Sequence, residues 1–199
     1  MIFFKKQDPN RERLIALLNQ IRAAESPRGW ERVVLMHVGG LTNLGFSKNS
    51  PYLLVISSQG RGVIDCRTGE KVARDYEEVG DWFKPQQLTC QGIGPLASEW
   101  IPTCGINGGG LPWGNQYGES IEMHSPNWPV YDLYFCSDHQ SPLMEGATNR
   151  CCKIDSEHLR ACGFSWCGHF LVSANSSSLT LWKKQNSNTP TAQAPSSAP

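Results

Sequence analysis

Cysteine and histidine recur in the second half of this chain at spacings suited to holding a metal. Two residues separate Cys136 from His139, four separate Cys162 from Cys167, His169 follows one residue beyond, and the pair Cys151–Cys152 lies between the two groups. A tetrahedral zinc site needs four thiolate or imidazole ligands converging at about 2.0–2.3 Å. No Cys-x2-Cys pair is present to supply half of such a site. The same residues offer a nucleophile, Cys136, with His139 as base and Asp138 as its orienting acid. Adjacent side chains on a strand point to opposite faces, so Asp138 and His139 do not readily pair there. The glycine-rich run "GINGGG" at 105 to 110 lacks the Lys-Ser/Thr and helix that complete a phosphate loop. The expected reading has no catalytic residues, no metal and no cofactor. A metal-dependent enzyme built on Cys136, His139, Cys162, Cys167 and His169 is the chemical alternative.

Acidic and aromatic residues make a stronger pattern. The stretch "DYEEVGDW" sets Asp75, Glu77, Glu78 and Asp81 close together with Tyr76 and Trp82 interleaved. Trp113, Tyr117 and Trp128 follow in turn-forming contexts rich in Gly, Asn and Pro. Aromatic anchors ringed by polar groups are what protein interfaces use as hot spots. These nine residues are the expected partner-binding set, its carboxylates suited to a basic pocket and its rings to desolvated anchoring.

Composition narrows the partner. The 18 basic and 18 acidic residues cancel, which argues against nucleic acid, whose binders carry a basic excess. The longest apolar run, "YLLVI" at 52 to 56, is far too short to span a bilayer. The N-terminus "MIFFKK" puts its charges after the apolar residues, the reverse of a secretory signal. A cytoplasmic protein with mostly reduced, structural cysteines is expected, with Cys66, Cys90, Cys104, Cys136 and Cys162 buried among small or apolar neighbours.

The elements that must position these residues are mainly strands. Asp8-Pro9-Asn10 supplies helix-capping chemistry, and Leu14, Leu17, Leu18 and Ile21 follow one helical face, predicting a helix over 8–25. It belongs to an N-terminal segment, 1–30, packed on the body. From residue 31 to 184, short β-branched and aromatic runs alternate with Gly, Asn, Ser and Pro, the pattern of one β-rich domain. Residues 75 to 129 are less regular. The tail, 185–199, has no apolar residue larger than Ala and is expected to be disordered.

Two parts of the β region repeat one pattern. "GFSKNSPYLLVISSQGRGVID" begins at Gly45 and "GFSWCGHFLVSANSSSLTLWK" at Gly163. Each opens with Gly-Phe-Ser, places an aromatic (Tyr52, Phe170) six residues after the Phe, and continues through two apolar runs split by small polar residues. His37 stands nine residues before Phe46, with Leu41 and Leu44 between. Ile64-Asp65 and Trp182-Lys183 each supply half of a closing Trp-Asp, and Asp155 takes the place of the His in the second copy. This pattern resembles a WD40 repeat. The resemblance implies a mainly β fold of antiparallel WD40-like meanders, a small, partial or few-bladed propeller-like arrangement, with one N-terminal α-helix. With about 40 to 45 residues per blade, the region has room for three or four blade-like sheets. WD40-like proteins are binding platforms. The chain also loosely resembles bacterial toxin-immunity proteins, short and free of enzymatic motifs. The resulting expectation is a non-enzymatic protein with one dedicated protein partner, an antitoxin covering a toxin domain. A scaffold or adaptor subunit is the alternative.

Overall fold

The computed structural model describes residues 8–185. The expectation of a disordered tail falls almost wholly outside them. Among the described residues the chain is mainly β, with one α-helix, two short 3-10 turns and four antiparallel sheets. Helix α1 (Pro9–Gln20) begins at an Asp8 N-cap, whose side chain accepts from the Asn10 and Arg11 amides, and at Pro9 in the first turn. It is shorter than the predicted 8–25. Ile21 is already extended, and the backbone beyond it bonds to Lys153 instead of continuing the helix: Lys153 N–H donates to Arg22 O and Ala24 N–H to Lys153 O, both at 2.9 Å.

The strands are β1 (Trp30–His37), β2 (Leu41–Phe46), β3 (Tyr52–Ser57), β4 (Gly60–Asp65), β5 (Lys71–Arg74), β6 (Phe83–Lys84), β7 (Thr89–Gln91), β8 (Trp100–Pro102), β9 (Cys104–Gly105), β10 (Ser120–His124), β11 (Tyr131–Cys136), β12 (Cys151–Glu157), β13 (Ala161–Phe164), β14 (Phe170–Ala174) and β15 (Ser178–Lys184). They form sheet I (β6-β7-β8), sheet II (β5-β4-β3-β2-β9), sheet III (β1-β15-β14-β13) and sheet IV (β10-β11-β12). In sheet III the N-terminal strand β1 pairs antiparallel with the last strand, β15, from Trp30↔Lys184 to His37↔Ser178.

The four sheets and the helix pack in series. Leu54, Ile56 and Val63 of sheet II meet Trp82, Cys90 and Ile101 at sheet I. The opposite face of sheet II, with Leu53, Val55 and Ile64, meets Phe170, Val172 and Leu181 of sheet III. Leu171 and Trp182, on the other side of sheet III, meet Leu133 and Phe135 of sheet IV. Tyr134 and Cys136 then face Leu18 and Ile21 at the helix. Strands covered on both faces need apolar residues at consecutive positions, not alternate ones. That is why "YLLVI", "FLV" and "LYFC" read as continuous runs.

The repeated motif has a packing reason. Both copies are three-stranded meanders, β2-β3-β4 and β13-β14-β15. The Phe of each is fully buried. The following Ser starts the same tight turn, with Ser47 N–H donating to Tyr52 O at 3.0 Å and Ser165 N–H to Phe170 O at 2.8 Å. Each Gly lets another segment cross: a methyl at Gly45 would lie 2.1 Å from Pro102 O, and one at Gly163 would meet Leu111 and Pro112. The two motifs also touch. Trp166 Nε1–H donates to Phe46 O at 3.2 Å, and Lys48 Nζ lies 4.7 Å from the Trp166 ring centre.

Candidate functional site

The acidic-aromatic stretch leaves sheet II at the end of β5, and its members divide there. Arg61 is buried, its side chain 7% exposed, and holds Asp75 at 2.7 Å. Its Nη1 donates to Gln91 O at 2.6 Å, and its guanidinium lies 4.6 Å from the Trp82 ring centre. Trp82 is buried between sheets I and II and donates its indole N–H to Glu78 O at 2.9 Å. This corrects the expectation for two residues: Trp82 is a core side chain, and Asp75 is committed to an arginine that could not stay buried without it. Glu77 keeps only a 3.6 Å contact with Arg61, and Tyr76, Glu78 and Asp81 are exposed. The Tyr76 ring is 75% exposed, with Arg74 over it at 4.7 Å.

Backbone contacts trace how this segment sits relative to the other aromatics. A side chain at Gly60 would strike Asp75 O and the Tyr76 backbone, so Tyr76 lies beside the β3–β4 turn. Ser58 N–H donates to Gly40 O, and Val38 and Leu41 N–H donate to Ser177 O and Ser176 O, linking the β3–β4, β1–β2 and β14–β15 turns. Arg160 N–H donates to Ala174 O, bringing in the β12–β13 turn. Tyr131 pairs with Glu157, bringing in the β10–β11 turn with Trp128. Trp128 is 72% exposed and packs edge-on against Tyr131. Tyr76 and Trp128 therefore stand at the same end of the stack. At the β9 edge of sheet II, Ile106 N–H donates to Thr42 O, placing the exposed Ile106 side chain at this end as well. Ile106 was missed in the sequence because one apolar residue inside "GINGGG" looks like part of a flexible turn.

Tyr117 lies at the opposite end. It stacks on His169 and bonds to it, beside the turn that follows the second Gly-Phe-Ser. Lys184 reaches over its ring and pairs with the buried Glu119, which also accepts from Trp30 Nε1 and Asn115 Nδ2. Trp113 is half-exposed and lines a cavity of about 140 Å³ with Met123 and Leu159. The nine expected contact residues thus do not make one surface. Among the described residues, no hydrogen bond, ion pair or ring contact joins the 75–82 segment to Trp113, Tyr117 or Trp128.

The cysteine-histidine alternative fares differently from its spacing. Cys136 faces the helix side of sheet IV, and Cys162 lies between sheets III and IV. Cys167 is exposed, and His169 is occupied by Tyr117. Among the described residues no group of three or more His, Cys, Asp or Glu side chains is placed to hold a metal ion. All eight cysteines carry free thiols, and burial pushes Cys90 up to about 11 and Cys104 and Cys162 up to about 12. Among the described residues no helix is long and apolar enough to cross a membrane. Compared with known proteins, the chain matches no protein-family model and no curated protein sequence.

Proposed function

We propose that this chain is a non-enzymatic binding protein for one dedicated protein partner, an immunity protein that covers and neutralises a toxin domain. The observation that carries the binding reading is the end of the stack where Tyr76, Ile106 and Trp128 stand exposed among converging turns. Sheets packed face to face lie about 10 Å apart, so the two steps from sheet II to sheet IV alone separate Tyr76 from Trp128 by at least roughly 20 Å. A standard interface of about 800 Å² per partner spans that distance. Glu77, Glu78 and Asp81 edge the patch at the Tyr76 side, which favours a partner with a basic active-site pocket and makes association salt-dependent. The antitoxin assignment rests on the loose resemblance to short immunity proteins, and a cytoplasmic setting belongs to the same reading.

The propeller-like reading of the fold belongs here too. Its support is the pair of Gly-Phe-Ser meanders, the serial packing of sheets, and an N-terminal strand completing the C-terminal sheet. In this reading the turn-rich end is the binding face of a few-bladed, open stack.

Affinity capture from the native host tests the function. The wild-type chain and the Trp166→Ala variant, altered at the opposite end, should retain a partner that Tyr76→Ala/Trp128→Ala loses. The off-rate of the double variant should rise at least tenfold, as hot-spot anchors worth about 2 kcal/mol or more require. Expression of the partner alone should arrest growth, and co-expression with this chain should restore it. A captured partner indifferent to the double variant would overturn the site, and a harmless one would overturn the antitoxin reading.

A further inference from the structure

A cavity of about 700 Å³ opens between the segment leading from α1 to β1 and the segment joining β11 to β12. Arg22, Arg28 and Arg150 line it, with Asp138, Asn149, Cys151 and Cys152. Arg150 is ion-paired with Asp138. No carboxylate lies within ion-pair distance of Arg22 or Arg28 among the described residues. Its character is cationic, and two cysteines, Cys151 and Cys152, belong to its lining.

Directly across the sheet from Cys151 stands Cys136. The hydrogen-bond pattern identifies the kind of pair they form. Lys153 spends both its N–H and its C=O on the α1 side, bonding Arg22 and Ala24, so its pairing with Tyr134 is a non-hydrogen-bonded one. Antiparallel pairs alternate. Phe135↔Cys152 is then hydrogen-bonded, Cys136↔Cys151 is not, and Ser137 with Arg150 is again bonded, as the Ser137 N–H to Arg150 O contact of 2.9 Å requires. Non-hydrogen-bonded partners have Cα atoms about 4.5 Å apart and the closer side chains, within the 4.4–6.8 Å range of disulfides. Cys152 packs on the other face, against the cluster with Trp30 and Phe135, and stands opposite Phe135, so it has no cysteine across the sheet to resolve a mixed disulfide.

We propose that Cys136 and Cys151 are a thiol–disulfide exchange pair whose oxidant is a small disulfide bearing carboxylates, held by the arginines of this cavity. The Cys151 thiolate attacks one sulfur of that disulfide, forming a mixed disulfide and releasing the first thiolate. The Cys136 thiol gives up its proton and attacks the Cys151 sulfur, and the second thiolate departs. One small disulfide becomes two thiols, the protein's two thiols become one disulfide, and the two protons go to the leaving groups. The asymmetry of the pair fits these roles. Hydrogen bonding from Cys136 holds Cys151 below the ordinary thiol range, while the same interaction and burial push Cys136 up. Cys151, which is part of the cavity lining, is the attacking thiol, and the fully buried Cys136 resolves.

The test treats the full chain, folded and reduced, with glutathione disulfide or with the cationic disulfide cystamine at equal concentration. Free thiols are then blocked and the peptides mapped. Glutathione disulfide should consume both thiols and link the Cys136 and Cys151 peptides, about tenfold faster than cystamine. Arg22→Glu/Arg28→Glu should erase that preference. Cys136→Ser should stop at a stable glutathione adduct on Cys151, and Cys151→Ser should leave Cys136 unmodified, circular dichroism confirming that both remain folded. Recovery of Cys136 and Cys151 as free thiols, with modification confined to the exposed Cys167, would overturn the pair. Equal rates for the two disulfides would overturn the role of the arginines.

Discussion

The glycines of the repeated motif allow a sharp test of how the sheets are held together. In sheet II, Gly45 and Gly62 lie on different strands and meet different surroundings. A methyl at Gly45 would sit 2.1 Å from Pro102 O and 3.0 Å from the Ile101 side chain. At Gly62 the nearest atom would be Ala73 O at 3.4 Å, an ordinary contact. Gly45→Ala must therefore push the β8 backbone away by more than an ångström or distort β2. Overpacking of this kind costs about 1–3 kcal/mol, and because the obstacle is backbone rather than a flexible side chain, the upper end applies. Gly62→Ala meets no such obstacle and gains from a less flexible unfolded chain, by about 0.4–1 kcal/mol. For a chain of this size, 1 kcal/mol shifts the melting temperature by about 2–4 °C. Thermal melts followed by circular dichroism should thus drop by about 6–12 °C for Gly45→Ala and stay level or rise slightly for Gly62→Ala. If Gly45→Ala melted with the wild type, the close crossing of β8 over the motif would not be what holds sheets I and II together.

Phe46→Ala and Phe164→Ala, each emptying a buried ring position, should cost about 3–5 kcal/mol in urea unfolding, and a loss under 1 kcal/mol would deny these residues their core role. Arg67 donates to Asp65, bonding its carboxylate at 2.9 Å, and lowers its pKa. A lowered folded-state pKa gives stability that is present above the unfolded value, about 3.9, and is lost as pH falls through the folded one. The stability gap between wild type and Arg67→Ala should therefore be full near neutrality and shrink below about pH 4, whereas a gap constant down to strong acid would exclude the pair as its source. In the native chain at about pH 8, iodoacetamide should label the exposed Cys167 well before Cys90, Cys104 or Cys162, and equal labelling would contradict their burial.

What the sequence made legible was whatever local pattern controls. The helix start was written in Asp8-Pro9, and β3, β11 and β14 in apolar runs long enough to serve two covered faces. Strand β12 was not legible. "CCKIDSE" offers one aliphatic residue and two cysteines that looked like ligands, because its register is set by β11 and by the Arg22–Ala24 edge, both remote in sequence. The helix end was hidden for the same reason. Trp82 shows the limit for the site. Surrounded by acids, it resembled a surface anchor, yet the group that buries it, Arg61, lies on another strand and declares itself only in three dimensions. Tyr76 and Trp128 kept the exposure that their neighbours implied, but nothing in either segment told that both emerge at one end.

The pairing of β1 with β15 has a consequence for how the chain is made. Val33, Val34 and Met36 of β1 are packed against the core partly buried, yet the strand that hydrogen-bonds them, β15, is synthesised after every other described strand. During translation β1 emerges early and waits, an unpaired edge, while sheets II, I and IV are produced. Sheet III closes only when Ser178–Lys184 clears the ribosome. Contacts so distant along the chain slow folding, and an edge left open that long invites pairing with the wrong strand. Loss of the final strand alone strips one side of β1 and uncovers the faces of sheets II and IV together.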